Sequence, residues 1–248
     1  MKKHIAVLLA ASTLFVTAHA DTQATLIDSY VSNMNAPCTF TDMSNVTWAA
    51  PSVEFLTAMG IVNGFDDGTF RPDTNITKAE FVKIIICAFG LYDAEASVNL
   101  KDNNKDDWYY TYVSAAIEKG IAKADKDNCF NAESYITREE MFDISKKALD
   151  YADISLIQSG ETLVYSDADE INPEYKDSVD YMSSHGIITG NPDGTLCPKA
   201  NSTRAEASVM LTRMIESLLE NEKNLFDENN ADSSDATGEN TINAEDQE

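Results

Sequence analysis

Gly60-Ile61-Val62-Asn63-Gly64-Phe65-Asp66-Asp67-Gly68-Thr69-Phe70, followed at Thr77 by Thr-Lys-Ala-Glu, is the stretch on which the fold turns. It recurs at Gly120 to Phe130 with Thr137-Arg138-Glu139-Glu140. It recurs again at Gly186 to Leu196 with Thr203-Arg204-Ala205-Glu206. The first glycine and the threonine are 17 residues apart in all three copies, whereas the copies start 60 and then 66 residues apart. A constant unit on variable linkers is a structural repeat.

Each unit reads as helix, loop, helix. Val53 and Leu56, Val113 and Ala116, and Val179 and Met182 lie seven and four residues before the glycine, an apolar stripe at helical spacing. Gly60, Gly120 and Gly186 suit the left-handed residue that closes a helix. Gly68 and Asn128 suit positive φ in the turn, and Phe70, Phe130 and Leu196 plug the loop onto the core. The second helix begins at the threonine. Its stripe is Phe81, Ile84, Ile85 and Ala88 in the first copy, Met141, Ile144 and Ala148 in the second, and Ala207, Met210, Leu211 and Met214 in the third. One helix pair cannot bury such a face alone, so the three units pack on one another.

Threonine with glutamate three residues later, ahead of an apolar run, is a capping box. Thr77 with Glu80, Thr137 with Glu140, and Thr203 with Glu206 are thereby explained. Lys78, Arg138 and Arg204 are not, because a cation at the first helical position opposes the helix dipole. A helix N-terminus with free N–H groups and a cation is an anion site. The alternative is an ion pair to an aspartate of the neighbouring unit. Aromatics precede each first helix: Trp48, then Trp108 with Tyr109 and Tyr110, then Tyr175, with Glu174 where the other copies have tryptophan. Such faces either hold sugars or cover the core.

Lys2 and Lys3, the apolar run from Ile5 to Val16 and the small-x-small step Ala18-His19-Ala20 read as a secretory signal over residues 1–20. No Cys stands at that cleavage point, which argues against a lipoprotein anchor, and no stretch approaches the ~20 apolar residues that span a bilayer. Residues 21–39 are a lead-in, and the repeats occupy 40–95, 100–152 and 163–220. Residues 221–248, dominated by Asn, Ser, Asp and Glu, read as a disordered acidic tail. The net charge of -24 excludes nucleic acid as a partner, since no basic surface could neutralise phosphates. Cys38, Cys87, Cys129 and Cys197 favour one or two disulfides in an exported chain, with free buried thiols as the alternative.

These motifs resemble the S-layer homology family, whose hallmark is Gly-Ile-Val-x-Gly, then Asp-Gly-Thr-Phe-x-Pro, then Ile-Thr-Arg-Ala-Glu. The first copy matches closely. The third has Ser202 for the usual Ile and Cys197 in its loop, and the second has Ala124 for the second glycine and a loop without Asp-Gly. The resemblance implies a mainly α fold: three helix-loop-helix repeats in a pseudo-threefold bundle, with short loop strands at most. It also implies grooves between repeats that bind secondary cell-wall polysaccharide, often carrying ketal-linked pyruvate. The motif cations Lys78, Arg138 and Arg204 would contact that acidic sugar. The protein would then be secreted and wall-associated, with surface-layer proteins as further partners and no cofactor required. A hydrolase is the rival class, but His185 is the one histidine after the signal and sits at a helix end. A second rival is a calcium-dependent assembly protein, on the strength of Asp125-Lys126-Asp127-Asn128 with Glu133, whose spacing fails the EF-hand rule.

Overall fold

The computed structural model describes residues 40–158 and 163–235. The signal, the lead-in, Cys38 and the last residues of the tail lie outside them. Six α-helices follow in order: α1 Ala50–Ala58, α2 Lys78–Ala88, α3 Tyr110–Glu118, α4 Arg138–Tyr151, α5 Lys176–Ser184 and α6 Arg204–Asp235. A 3-10 turn at Ala168–Glu170 precedes α5. The short helices α1, α3 and α5 stop where Gly60, Gly120 and Gly186 take φ of 69, 68 and 70°, a conformation that costs glycine little.

Helix pairing crosses the repeat boundaries. α2 packs on α3, α4 on α5, and α6 returns to α1, so the last repeat closes onto the first. Valines 53, 113 and 179 and the residues three further on, Leu56, Ala116 and Met182, are all fully buried at these contacts. The plugs Phe70, Phe130 and Leu196 are likewise buried.

A closed cycle of hydrogen bonds marks the pseudo-threefold axis. Ile76 N–H donates to Ser202 O at 3.0 Å, Ser202 N–H to Ile136 O at 2.9 Å, and Ile136 N–H to Ile76 O at 3.1 Å. Three isolated bridges, Asn75 to Thr203, Thr77 to Tyr135 and Thr137 to Asn201, are the strand-like pairings among the described residues. The expected mainly α fold with minimal strand is what the chain adopts.

Each loop is tied down by an aspartate that the repeat pattern also carries. Asp42 accepts from the N–H groups of Phe70 and Arg71, Asp102 from Phe130 and Asn131, and Asp167 from Leu196 and Cys197. The second residue of each pair holds positive φ, 59, 59 and 53°, and the two charge-assisted bonds fix it there. Phe40 explains the second glycine of the motif. A Cβ on Gly64 would overlap the Phe40 ring, and one on Gly190 would overlap Tyr165. In the second repeat, where Ala124 replaces the glycine, Leu100 stands at the register of Phe40 and Tyr165.

α6 runs on through Asp235 into the segment read as an acidic tail. Asn221 also reaches back to Ser155 O at 3.1 Å. One expectation is corrected: the cysteines Cys87, Cys129 and Cys197 are free thiols. Each belongs to a different repeat and so to a different point of the ring, and burial pushes the Cys87 thiol upward.

Candidate ligand-binding grooves

The helix starts are self-contained. Thr77 N–H donates to Glu80 Oε2 at 2.8 Å, and Glu80 N–H returns to Thr77 Oγ1 at 3.2 Å. The same reciprocal bonds close Thr137 with Glu140 and Thr203 with Glu206. The two donors between them go to the neighbouring repeat. Lys78 and Ala79 donate to Ser134 O and Ala132 O, Arg138 and Glu139 to Ala200 O and Pro198 O, and Arg204 and Ala205 to Thr74 O and Pro72 O. The free N–H groups expected of an anion site are therefore absent at all three starts. The ring consumes them in joining one repeat to the next, and any anion recognition falls to side chains.

The three motif cations differ. Lys78 Nζ donates to Glu140 Oε1 at 2.6 Å, and Arg138 Nη1 to Glu206 Oε1 at 2.9 Å. In both, the cation of one repeat meets the capping glutamate of the next rather than an aspartate. Arg138 Nε also holds Leu196 O at 2.7 Å, which leaves its side chain 11% exposed. Arg204 repeats only that last contact, Nε to Phe70 O at 3.0 Å, with Nη2 to Asn63 O at 3.0 Å. It makes no ion pair among the described residues. Its guanidinium lies 4.6 Å from the Phe70 ring centroid and 5.1 Å from that of Phe65. Burial pulls its pKa below the ordinary arginine range, and Glu80 opposes the effect.

Two cavities lie at repeat junctions. One, of about 320 Å³, brings Arg204 together with Lys83, Trp108, Glu80 and Asn63. The other, of about 120 Å³, brings Lys78 together with Lys123, Glu140, Asp143, Asp125 and Tyr175. Arg138 and Trp48 line neither. The charge balance of the two is opposite: two cations to one carboxylate in the first, two cations to three in the second.

In the smaller cavity burial, with Glu140 and Asp143 behind it, pushes the Tyr175 hydroxyl up to about 12. Burial also raises Glu140, but Lys78 and the Thr137 N–H outweigh it and hold that carboxyl below its usual range.

Lys83 escaped the motif reading, although its signal was at hand. It stands six residues after the capping threonine, where Asp143 and Val209 stand in the other repeats. Asp143 is buried and receives Ser178 Oγ at 2.8 Å and Lys147 Nζ at 2.6 Å. Lys123 pairs with Glu174 in front of α5. Trp108 and Trp48 are 53% and 57% exposed, so neither tryptophan covers the core, whereas Tyr109 is buried. His185 closes α5, its Nδ1 2.7 Å from Tyr181 O and its ring stacked on Tyr181.

The Asp125 carboxylate is taken up by the N–H groups of Asp127 and Cys129 and by Asn131 Nδ2. Among the described residues no three of His, Cys, Asp or Glu converge as metal ligands.

A ring of three repeats, closed end to end, with its cavities at the junctions, defines a repeat-built module. This chain belongs to the S-layer homology domain family, which it matches over residues 39–82, 99–142 and 164–208. It is 31% identical to an amylopullulanase of Thermoanaerobacterium thermosulfurigenes over 72% of this chain and 10% of that protein. It is 29% identical to the surface-layer 125 kDa protein of Lysinibacillus sphaericus over 80% of this chain and 17% of that protein. A cellulosome-anchoring protein of Acetivibrio thermocellus is 27% identical over 64% of this chain and 35% of that protein. The chain thus spans a minor part of the relatives it matches. No helix among the described residues is long and apolar enough to cross a membrane.

Proposed function

We propose that this chain holds its protein at the bacterial cell surface by non-covalent binding of an acidic wall polysaccharide, and that the Arg204 groove carries the affinity. Family membership and the surface-layer and anchoring relatives support the location and the anchoring role. The observation that carries the choice of groove is the ion-pair pattern. Lys78 and Arg138 are already ion-paired with Glu140 and Glu206, while Arg204, beside Lys83 and Trp108, makes no direct ion pair among the described residues, although Glu80 lines the same cavity. A partly desolvated guanidinium is a strong, bidentate partner for the carboxylate of a pyruvate ketal. Trp108 offers an apolar face to the attached sugar ring.

Sedimentation with sacculi that retain their polysaccharide tests this. The chain pellets with them and stays in solution with polymer-stripped sacculi. Arg204→Ala lowers affinity about 30-fold or more, as expected for losing a desolvated charge contact. Equal pelleting with stripped sacculi, or a fully retained affinity in Arg204→Ala, overturns the proposal.

A further inference from the structure

The Arg204 cavity does not end at Trp108. Lys83 Nζ stands 5.8 Å from the ring centroid of Trp108 and 5.8 Å from that of Tyr112. Tyr112 in turn packs on Tyr92, centroids 5.3 Å apart at an interplanar angle of 50°. Trp108, Tyr112 and Tyr92 therefore form a row across the α2–α3 junction, and Trp108 and Tyr92 are more than half exposed.

The ring does not need this row. At the equivalent α4–α5 junction Glu174, Asp143 and Ser178 stand in the register of Trp108, Lys83 and Tyr112, and there Glu174 pairs with Lys123 while Ser178 bonds Asp143. At the α6–α1 junction Trp48, Val209 and Ser52 occupy the three positions. Two junctions of the same architecture thus close with serine in place of Tyr112. Exposed aromatic area is costly to leave in water, and in a chain of net charge -24 a lysine set between two rings, with no ion pair among the described residues, adds a polar, hydrogen-bonding centre to it.

We infer that the Trp108–Tyr112–Tyr92 row is an extended subsite for neutral pyranose residues of the same polysaccharide, adjoining the acidic unit in the Arg204 groove. The C–H groups on one face of a pyranose ring carry slight positive charge and meet the negative face of an aromatic ring. Lys83 Nζ supplies donors to the ring hydroxyls from between the two platforms. This rests on the anchoring reading above, of which it specifies the length of ligand bound.

Titration calorimetry of the full chain with two probes separates the two ideas. The probes are a single ketal-pyruvylated N-acetylhexosamine and a fragment of several saccharides released from pyruvylated wall polysaccharide. Tyr92→Ala, at an exposed position, weakens the long fragment about 3- to 10-fold and leaves the single acidic sugar unchanged. Tyr112→Leu, which keeps apolar volume beneath the row, does the same. Arg204→Ala weakens both probes. If Tyr92→Ala and Tyr112→Leu bind both probes like the wild type while Arg204→Ala binds neither, the subsite is wrong and the anchoring groove stands. If Arg204→Ala binds both probes normally, or the wild type binds neither, the anchoring reading fails and takes the subsite with it.

Discussion

Lys78 reaches across the boundary between the first two repeats to Glu140, Nζ to Oε1 at 2.6 Å, and so ties a helix start to the capping box of the next helix. Glu140 receives Thr137 N–H at 3.0 Å with its other oxygen. One carboxylate thus caps α4 and clamps the first repeat to the second. Its pKa sits below the ordinary range because Lys78 and Thr137 together outweigh burial. A depressed folded pKa stabilises above the unfolded value and loses that contribution as pH falls through the folded one. Lys78→Met should therefore melt below the wild type at pH 7, and the gap should close as pH drops below about 4.3, where Glu140 is neutral in the unfolded chain. A gap of constant size from neutral pH to acid would show that the pair contributes nothing to the clamp.

Arg204 occupies the same register as Lys78 and makes no direct ion pair among the described residues, which separates the cations in binding. With sacculi retaining polymer, wild type and Lys78→Ala should both bind and both weaken as salt rises from about 0.1 M to about 1 M, since the Debye length contracts from ~10 to ~3 Å. Arg204→Ala should bind weakly at either salt concentration. A wild-type affinity indifferent to salt would remove charge from the mechanism.

The glycine and threonine offsets located the ends of α1, α3 and α5 and the starts of α2, α4 and α6, because caps and left-handed glycines are local demands of the backbone. Periodicity told which face of α2 is apolar but not that α3, rather than α1, covers it. That pairing depends on the linker returning the chain across the boundary, which leaves no periodic mark. The same limit hid the fate of the helix-start N–H groups. Ser134 O and Ala132 O, which take Lys78 N–H and Ala79 N–H, lie more than fifty residues away. Asp42, Asp102 and Asp167 were readable, lying 18, 18 and 19 residues before the motif glycine, and Lys83 was readable by its fixed distance from Thr77.

Ser202 sits fully buried at the axis where the other two repeats place Ile76 and Ile136, and its Oγ has no hydrogen-bond partner among the described residues. Its backbone still completes the cycle, so only the hydroxyl is out of place. A buried hydroxyl without a partner costs about 1–3 kcal/mol. Ser202→Ala removes the hydroxyl without adding volume and should raise the melting temperature by about 2–4 °C. An unchanged or lowered melting temperature would mean that the hydroxyl is satisfied in solution.

Gly64 and Phe40 test why the second repeat tolerates Ala124. The Phe40 ring lies over Gly64 and against Phe70, centroids 5.5 Å apart, so a methyl group at 64 has no room. Gly64→Ala should cost about 1–3 kcal/mol through overpacking, read from urea denaturation. Phe40→Leu alone should also destabilise, since it thins the cover over Phe70. The two together reproduce the Leu100 and Ala124 combination of the second repeat. The double variant should therefore be more stable than the sum of the single changes predicts, by about 1 kcal/mol or more. Strict additivity would show that Gly64 is held by something other than the ring above it, and the correspondence between Phe40, Leu100 and Tyr165 would lose its energetic meaning.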